Sequence, residues 1–360
     1  MKRALVLAQR VLGSTSPNPA VGAVIVKDGY VVGEGATNPP GGTHAEIVAL
    51  KNAGSQAKGA TLYTTLEPCN FYNRTPPCTT AIIQAEIKEV QAAALDPNPK
   101  ISGGGKADLE AMGIPVYVGQ GSAEVSELYE AFAKHVKVKT PFVTAKFAVS
   151  LDGKMATSTG HSQWITGPSA RSLAQDSRRT NDAIMVGINT ILRDNPRLTA
   201  RGKEGSPLKR QPIRVILDSN CRTPVESNVL REVGATIIAT TSRHPSAITK
   251  LRAVGAEVLS LPPTNGLVNL EVLLKELGLR GVVSLFVEGG GTVLGSLFDL
   301  KMVDKVMAFI APIIIGGKAA SSPVEGSGAK LLSHAIKLRD VNVERIDDDL
   351  LVKGYPISRS

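Results

Sequence analysis

The chain has 360 residues, 41 of them basic and 32 acidic, for a formal charge of +9, and 42% of it is hydrophobic. That length is comfortable for two domains, each able to bury a core of its own. No apolar run approaches the ~20 residues that a membrane span needs, and 4% aromatics leave little for nucleic-acid bases to stack on, so small phosphorylated molecules suit the charge better than a membrane or a nucleic acid.

The apolar positions Leu5, Val6, Ala8, Val11 and Leu12 predict a helix over residues 2–12, amphipathic and unlike a secretion signal. Ser16-Pro17-Asn18-Pro19 breaks it. Residues 22–26 and 30–32 read as a hairpin closed by an Asp28-Gly29 turn. His44 and Glu46 open a helix over 45–51 that ends near Gly54, and 60–64 is a strand. Cys69 follows on a loop, and Cys78 begins a helix through Gln84. Strand and helix continue to alternate through 90–94, 107–112, 116–118 and 123–133, which predicts a sheet with helices on both faces.

Chemistry concentrates between His44 and Cys78. The stretch holds His44-Ala45-Glu46, Thr65-Leu66-Glu67-Pro68-Cys69 and Arg74-Thr75-Pro76-Pro77-Cys78. One histidine and two cysteines make three zinc ligands, one short of a closed shell, as in catalytic zinc sites that keep a position for water. Glu46, two residues past the histidine, is placed to move protons, and the ensemble follows the H-x-E…P-C…C signature of zinc deaminases. Helix starts at His44 and Cys78 would aim N–H groups at the thiolates. A helix cap beside two buried thiols is the bland alternative, and the full ordered set weighs against it. Eight residues separate the cysteines where two are usual, which argues against a generic cytidine deaminase. Only Cys221 is left over, so no disulfide framework forms and a cytoplasmic location is expected.

Residues 134–141, with clustered charge ending at Pro141, read as the join to a second alternating half. Its strands are expected at 142–149, 183–186, 213–217, 236–239, 282–287 and 305–311, with helices at 169–179, 270–277 and 292–298. No G-x-G-x-x-G fingerprint occurs. Gly289-Gly290-Gly291-Thr292-Val293-Leu294-Gly295 nevertheless follows a strand and opens a helix, where glycines allow close approach and free N–H groups suit a phosphate. A tight strand-to-helix turn is the competing explanation.

The cysteine motif resembles the bifunctional riboflavin-biosynthesis deaminase/reductase family. Similarity extends to Ala145-Lys146-Phe147-Ala148-Val149-Ser150-Leu151-Asp152-Gly153, Ser162-Gln163-Trp164-Ile165-Thr166 and Val287-Glu288-Gly289-Gly290. The resemblance implies an α/β chain, a cytidine-deaminase-like α/β/α sandwich over residues 1–138 and a dihydrofolate-reductase-like α/β domain over 139–360. It implies Zn2+ on His44, Cys69 and Cys78 with Glu46 as acid and base, and Asn18 reaching the pyrimidine. NADPH would meet Ala148, Trp164, Thr190, Asp194, Ser219 and Gly290, Gly291, Thr292, Val293, Leu294, Gly295 and Ser296. Substrate would meet Ser162, Arg178, Leu198, Arg201 and Glu288, the two arginines gripping its phosphate, with Lys146 and Glu288 assisting proton delivery. The implied substrate is the diaminopyrimidinone ribosylamine phosphate, deaminated and then reduced to its ribityl form. The expected assembly is a homo-oligomer, dimer or tetramer, without nucleic acid or membrane.

One departure stands out: the family has Ser-His after the first cysteine, and this chain has Asn70-Phe71-Tyr72-Asn73. It points to the deaminase as the half to test if one activity has decayed. An RNA-directed deaminase would keep the zinc site and use the positive charge, but the cysteine gap and the reductase-like stretches oppose it. A scaffold built on structural zinc would need a fourth ligand, for which His135 on a basic linker is a poor candidate.

Overall fold

The computed structural model describes residues 1–72, 76–99, 101–119, 122–202 and 204–357, so Asn73, Arg74 and Thr75 of the cysteine motif lie outside the described residues. The chain forms two compact units, Met1–Thr140 and Pro141–Ser360.

The first unit runs α1 (Lys2–Val11), β1 (Gly22–Lys27), β2 (Tyr30–Ala36), α2 (Ala45–Ala53), β3 (Thr61–Thr64), α3 (Cys78–Gln84), β4 (Glu89–Ala92), α4 (Gly104–Ala111), β5 (Val116–Val118) and α5 (Ser122–Val138). Its sheet has the order β2-β1-β3-β4-β5, with β1 antiparallel to both neighbours and β3, β4 and β5 parallel. Asp28 and Gly29 both take positive φ, as the predicted hairpin turn requires. Ile25, Leu62, Ile82, Val90 and Leu109 are wholly enclosed and form the core.

The seating of α2 fixes where His44 and Glu46 point. Ala45, Ala49 and Ala53, spaced by four, form a buried stripe of minimal side chains. That stripe lies against Gly33 and Gly35 of β2. A Cβ on Gly35 would stand 2.2 Å from the Ala45 carbonyl oxygen and 2.6 Å from the Ala49 nitrogen. Helix and strand touch backbone to backbone.

Helix α5 continues to Val138, so residues 134–138, read from sequence as part of a join, are its last turns. A stripe of Val125, Tyr129, Phe132 and His135 faces inward and carries the helix through the charged stretch.

The second unit runs β6 (Phe142–Ser150), α6 (Pro168–Thr180), β7 (Ala183–Gly187), α7 (Ile188–Asp194), β8 (Ile213–Leu217), α8 (Asn228–Arg231), β9 (Thr236–Thr240), α9 (Pro245–Ala253), β10 (Glu257–Ser260), β11 (Pro263–Thr264), β12 (Leu267–Val268), α10 (Leu270–Leu279), β13 (Ser284–Val287), α11 (Gly291–Asp299), β14 (Lys305–Ala311), β15 (Leu338–Ile346) and β16 (Asp349–Pro356). Its large sheet has the order β10-β9-β8-β7-β13-β6-β14-β16-β15. Strands from β10 to β14 are parallel, and β16 and β15 add antiparallel at the edge. Separate apolar clusters pack on its two faces, one around Leu285, Leu273 and Leu297, the other around Ile184, Ile216 and Ile238.

The β15–β16 hairpin is not apparent in the sequence reading. Most of β15 is exposed, so it lacks the apolar alternation that announces a strand, and Asp347-Asp348 is no standard hairpin dipeptide. Among the described residues, no helix is long and apolar enough to cross a membrane.

Replacing Gly35 by Ala drives a methyl into the backbone of α2. The variant is expected to lose about 1–3 kcal/mol or more in urea denaturation. An unchanged midpoint would show that the helix has room to retreat.

Candidate functional site

In the first unit the sequence-distant ligands converge. His44 caps the start of α2, Cys78 is the first residue of α3, and Cys69 sits on the loop after β3. His44 Nδ1 lies 3.3 Å from Cys78 Sγ and 3.5 Å from Cys69 Sγ. The three donor atoms all fall within 4.8 Å of one another, and among the described residues no fourth His, Cys or carboxylate joins them. A tetrahedral zinc with ordinary Zn–N and Zn–S bonds would separate its nitrogen and sulfur ligands by about 3.5 Å. The donor set fits zinc in spacing and in kind, and it leaves a coordination position open. The start of α3 embraces Cys69: the Cys78 N–H donates to Cys69 Sγ at 3.4 Å, and the Thr79 N–H to the Cys69 carbonyl at 3.2 Å.

The local electrostatics follow from this crowding. A hydrogen bond from the Cys78 thiol, helped by His44 and the Cys78 N–H, brings Cys69 down to about 4. Cys78 is pushed up by the same bond and by burial. Bonding to Cys69 raises His44. Glu46 is buried, and desolvation, with the Cys69 charge added, pushes it up to about 7. A carboxyl poised there can both take and return a proton near neutral pH.

A cavity of about 680 Å³ opens onto these groups. Asn18, His44, Glu46 and Cys69 line it, as do Phe71, Asp96 and Asn98. Phe71 faces the cavity two residues after Cys69, where the family's histidine would stand. Asp96 and Asn98 carried no sequence signal. Burial pushes Asp96 up to about 6, with the Glu67 and Cys69 charges contributing.

Glu67 lay unremarked inside the cysteine motif, yet it organises this wall. It is only 3% exposed. Its carboxylate accepts the N–H groups of Asp96 at 3.1 Å, Gly103 at 2.9 Å and Lys106 at 2.9 Å. Two of these are free donors at the start of α4, a helix with no acid in its first turn and no side-chain cap of its own. A Cβ on Gly105 would lie 1.8 Å from the Pro68 carbonyl oxygen, so α4 presses directly on the cysteine loop.

In the second unit, Lys146, Ala148, Ser162, Trp164, Arg178, Arg201, Glu288 and Leu294 line a cavity of about 480 Å³. Trp164 is 70% exposed and carries the Arg171 guanidinium over its ring at 4.5 Å, so this single tryptophan is not a core residue. Arg178 and Glu288 form a two-pronged ion pair, Nε to Oε1 at 2.5 Å and Nη2 to Oε2 at 2.7 Å, with side chains 16% and 8% exposed. The fork expected to grip phosphate is therefore occupied by Glu288. Arg201 differs: its Nε is buried and has no protein acceptor among the described residues. Desolvation opposes the charge on Glu288, but Arg178 and then Lys146 outweigh it and hold the carboxyl below its ordinary value. Burial also lowers Lys146, against the attraction of Glu288 and with repulsion from Arg178.

A second cavity, of about 560 Å³, lies across the carboxyl ends of β8, β7 and β13. Thr190, Ser219, Gly290, Thr292, Val293 and Ser296 line it. Gly289 and Gly290 take φ of +142° and +79°, and a Cβ on Gly290 would project toward Thr190 and Val293. The bare turn leaves the start of α11 open to a phosphate, which fits a dinucleotide. Gly291 and Gly295 have another cause: side chains there would meet Glu325 and Ser322, or the Glu325 backbone, at under 3 Å. Neither lines the cavity. Asp194 is exposed and lines neither cavity, and the Leu198 side chain is buried in the core, so contact with a ligand would fall to its backbone.

Residues 1–94 match the cytidine and deoxycytidylate deaminase zinc-binding region, and residues 141–352 match the RibD C-terminal domain. The chain is 40% identical to the riboflavin biosynthesis protein RibD of Actinobacillus pleuropneumoniae, over 99% of this chain and 95% of that one. It is 42% identical to the protein of that name from Aquifex aeolicus, over 98% and 96%. Acinetobacter baumannii RibD superposes with a TM-score of 0.87 at 33% identity, covering 99% of this chain and 98% of that one. A diaminohydroxyphosphoribosylaminopyrimidine deaminase/5-amino-6-(5-phosphoribosylamino)uracil reductase from Thermotoga maritima gives 0.86 at 38%, covering 99% and 97%.

Two outcomes are expected from the buried carboxylates. Glu67→Gln offers one acceptor oxygen in place of two, and it should cost about 1.5–3 kcal/mol and slow deamination while leaving reduction intact, as a denaturation curve and the two assays would show. Glu288 is depressed in the folded state, so its stabilisation is complete above the ordinary value of 4.5 and is lost as pH falls toward the folded value. Wild type should therefore lose stability in acid more steeply than Glu288→Gln. At neutral pH the variant should be weaker by about 3–5 kcal/mol, because Arg178 is left without a counter-charge. Parallel pH profiles of melting temperature would refute this.

Proposed function

The chain belongs to the bifunctional deaminase/reductase family of riboflavin biosynthesis, and on that footing we propose which residues carry each of its two reactions. It is a zinc-dependent pyrimidine deaminase joined to an NADPH-dependent reductase, acting on a small phosphorylated pyrimidine. The substrate is the diaminopyrimidinone ribosylamine phosphate. Deamination belongs to residues 1–138 and reduction to residues 139–360.

The observation that carries the reading is the convergence of His44, Cys69 and Cys78 beside Glu46 at one cavity. His44, Cys69 and Cys78 would hold the zinc, which when bound would lower the pKa of a water from 15.7 to about 7 and so make a nucleophile available at neutral pH. Glu46 accepts that water's proton and returns it to the leaving amine, so that ammonia departs. Asn18, which lines the same cavity as Cys69, holds the ring. Phe71 replaces a polar contact with an apolar wall, and recognition then leans on Asp96 and Asn98.

In the reductase, NADPH when bound would supply the hydride that reduces the opened ribose aldehyde. Thr190, Ser219 and the Gly290 turn bind it, with Ala148 and Trp164 beside the substrate cavity. Arg201 takes the substrate phosphate, a reading supported by its place in the cavity lining and by a Nε with no protein acceptor among the described residues. Arg178 fixes the Glu288 carboxylate, which with Ser162 orients the sugar hydroxyls. Lys146, close enough to sense both charges, delivers the proton to the new hydroxyl. We place the enzyme in the cytoplasm as a homo-oligomer, dimer or tetramer. The exposed Val341 and Val343 on edge strand β15 support self-association.

A paired assay tests the division. With the aminopyrimidine substrate, Glu46→Ala should lose ammonia release by about 10²–10⁴-fold yet still oxidise NADPH when given the deaminated intermediate. Loss of both activities in a folded variant would defeat the assignment of separate sites.

A further inference from the structure

The cavity at the ends of β8, β7 and β13 contains more than a phosphate-binding turn. Gly290 closes β13, Gly187 ends β7, and Ser219 follows β8; at about 4.8 Å per strand the cavity crosses roughly 10 Å of sheet edge. A dinucleotide with its pyrophosphate on the glycine turn has its adenosine ribose within reach of the β8 end. In the Rossmann fold an acid reads the 2′-hydroxyl of NAD, whereas an arginine accommodates the 2′-phosphate of NADP, and the same chemistry governs a ribose bound at this sheet edge.

Both residue types occur here, and the fold separates them. Asp218 is wholly buried, and its Oδ2 accepts the Thr223 N–H and the Thr223 hydroxyl, each at 2.7 Å. It is turned inward and cannot read a ribose. Arg222, four residues later, is exposed and lines the cavity, with Nη2 donating to Asn189 Oδ1 at 3.3 Å. No other lysine or arginine is among the described residues lining it. Ser219 Oγ accepts the Val268 N–H at 3.2 Å, which leaves its own proton to donate outward. The cavity's acids are Glu271 and Asp299, the latter held by the N–H groups of Ser327 and Gly328. A dianion entering this cavity finds its counter-charge at Arg222.

We propose that Arg222, with Ser219 beside it, recognises the 2′-phosphate of NADPH and sets the preference for NADPH over NADH. The inference rests on the cofactor assignment above and adds the residue that makes the choice. A guanidinium meets a phosphate through paired, charge-assisted hydrogen bonds, a geometry lysine does not reproduce.

Equilibrium titration of the full chain with NADPH, NADH and adenosine 2′,5′-bisphosphate, followed by fluorescence and without turnover, tests it. Arg222→Ala should weaken NADPH and the bisphosphate roughly ten- to hundredfold and leave NADH unchanged, and Arg222→Lys should recover part of the loss. An unchanged NADPH-to-NADH ratio in Arg222→Ala would assign the phosphate to another group, and equal weakening of both dinucleotides would make Arg222 a structural residue. Either result overturns the proposal. If wild type bound neither NADPH nor the bisphosphate, the cofactor assignment itself would fall.

Discussion

A carboxylate removed from water is costly unless donors surround it, and both units are arranged around carboxylates that are answered in different ways. Glu67 is answered by three backbone N–H groups, Glu288 by the fork of Arg178, Asp218 by Thr223, and Asp182 by Arg210 and the N–H groups of Val283 and Ser284. Asp218 closes a local turn, whereas the other three hold together segments far apart in the chain. Glu67 joins the cysteine loop to α4, and Asp182 ties the start of β7 to β13. Glu46 is the exception: burial, not bonding, dominates its environment, and its carboxyl is therefore pushed up to about 7.

That contrast separates scaffold from chemistry in the deaminase unit. Glu46 and Glu67 both line the same cavity and are both buried, yet Glu67 accepts three backbone N–H groups whereas burial pushes Glu46 up to about 7. The backbone contact between α2 and β2 holds the first pair of site residues, His44 and Glu46. Glu67, which caps α4, also accepts the Asp96 N–H and so holds Asp96 and Asn98 in the lining of the same cavity. A change in either contact moves half the site relative to the other.

In the reductase unit, the organising feature is the parallel sheet. Its neighbouring strands end on one edge, so residues far apart in sequence, among them Ser219, Thr190 and Gly290, line one cavity. The ion pair between Arg178 and Glu288 lies at the other cavity, which Lys146 and Arg201 also line, and Arg201 Nε has no protein acceptor among the described residues. Asp218 and Arg222 lie four residues apart, and packing turns one into the interior and the other toward the cavity.

The cluster of His44, Cys69 and Cys78, the neighbouring Glu46 and the helix starts that present them were legible in the sequence, because ligand chemistry demands particular residue types in a particular order and helix caps have local signatures. So were most parallel strands, whose buried apolar runs are local. The β15–β16 hairpin was not, since its exposed face carries no periodic signal. Nor could sequence separate Gly290, which lines a cavity, from Gly291 and Gly295, bare because Glu325 and Ser322 press on them. Whether Arg178 meets Glu288 or a phosphate, and whether Glu67 is a surface charge or the cap of a distant helix, depends on contacts between residues tens of positions apart. Only the packed chain brings such groups together, and so only the tertiary structure decides which charge is already answered and which remains for a ligand.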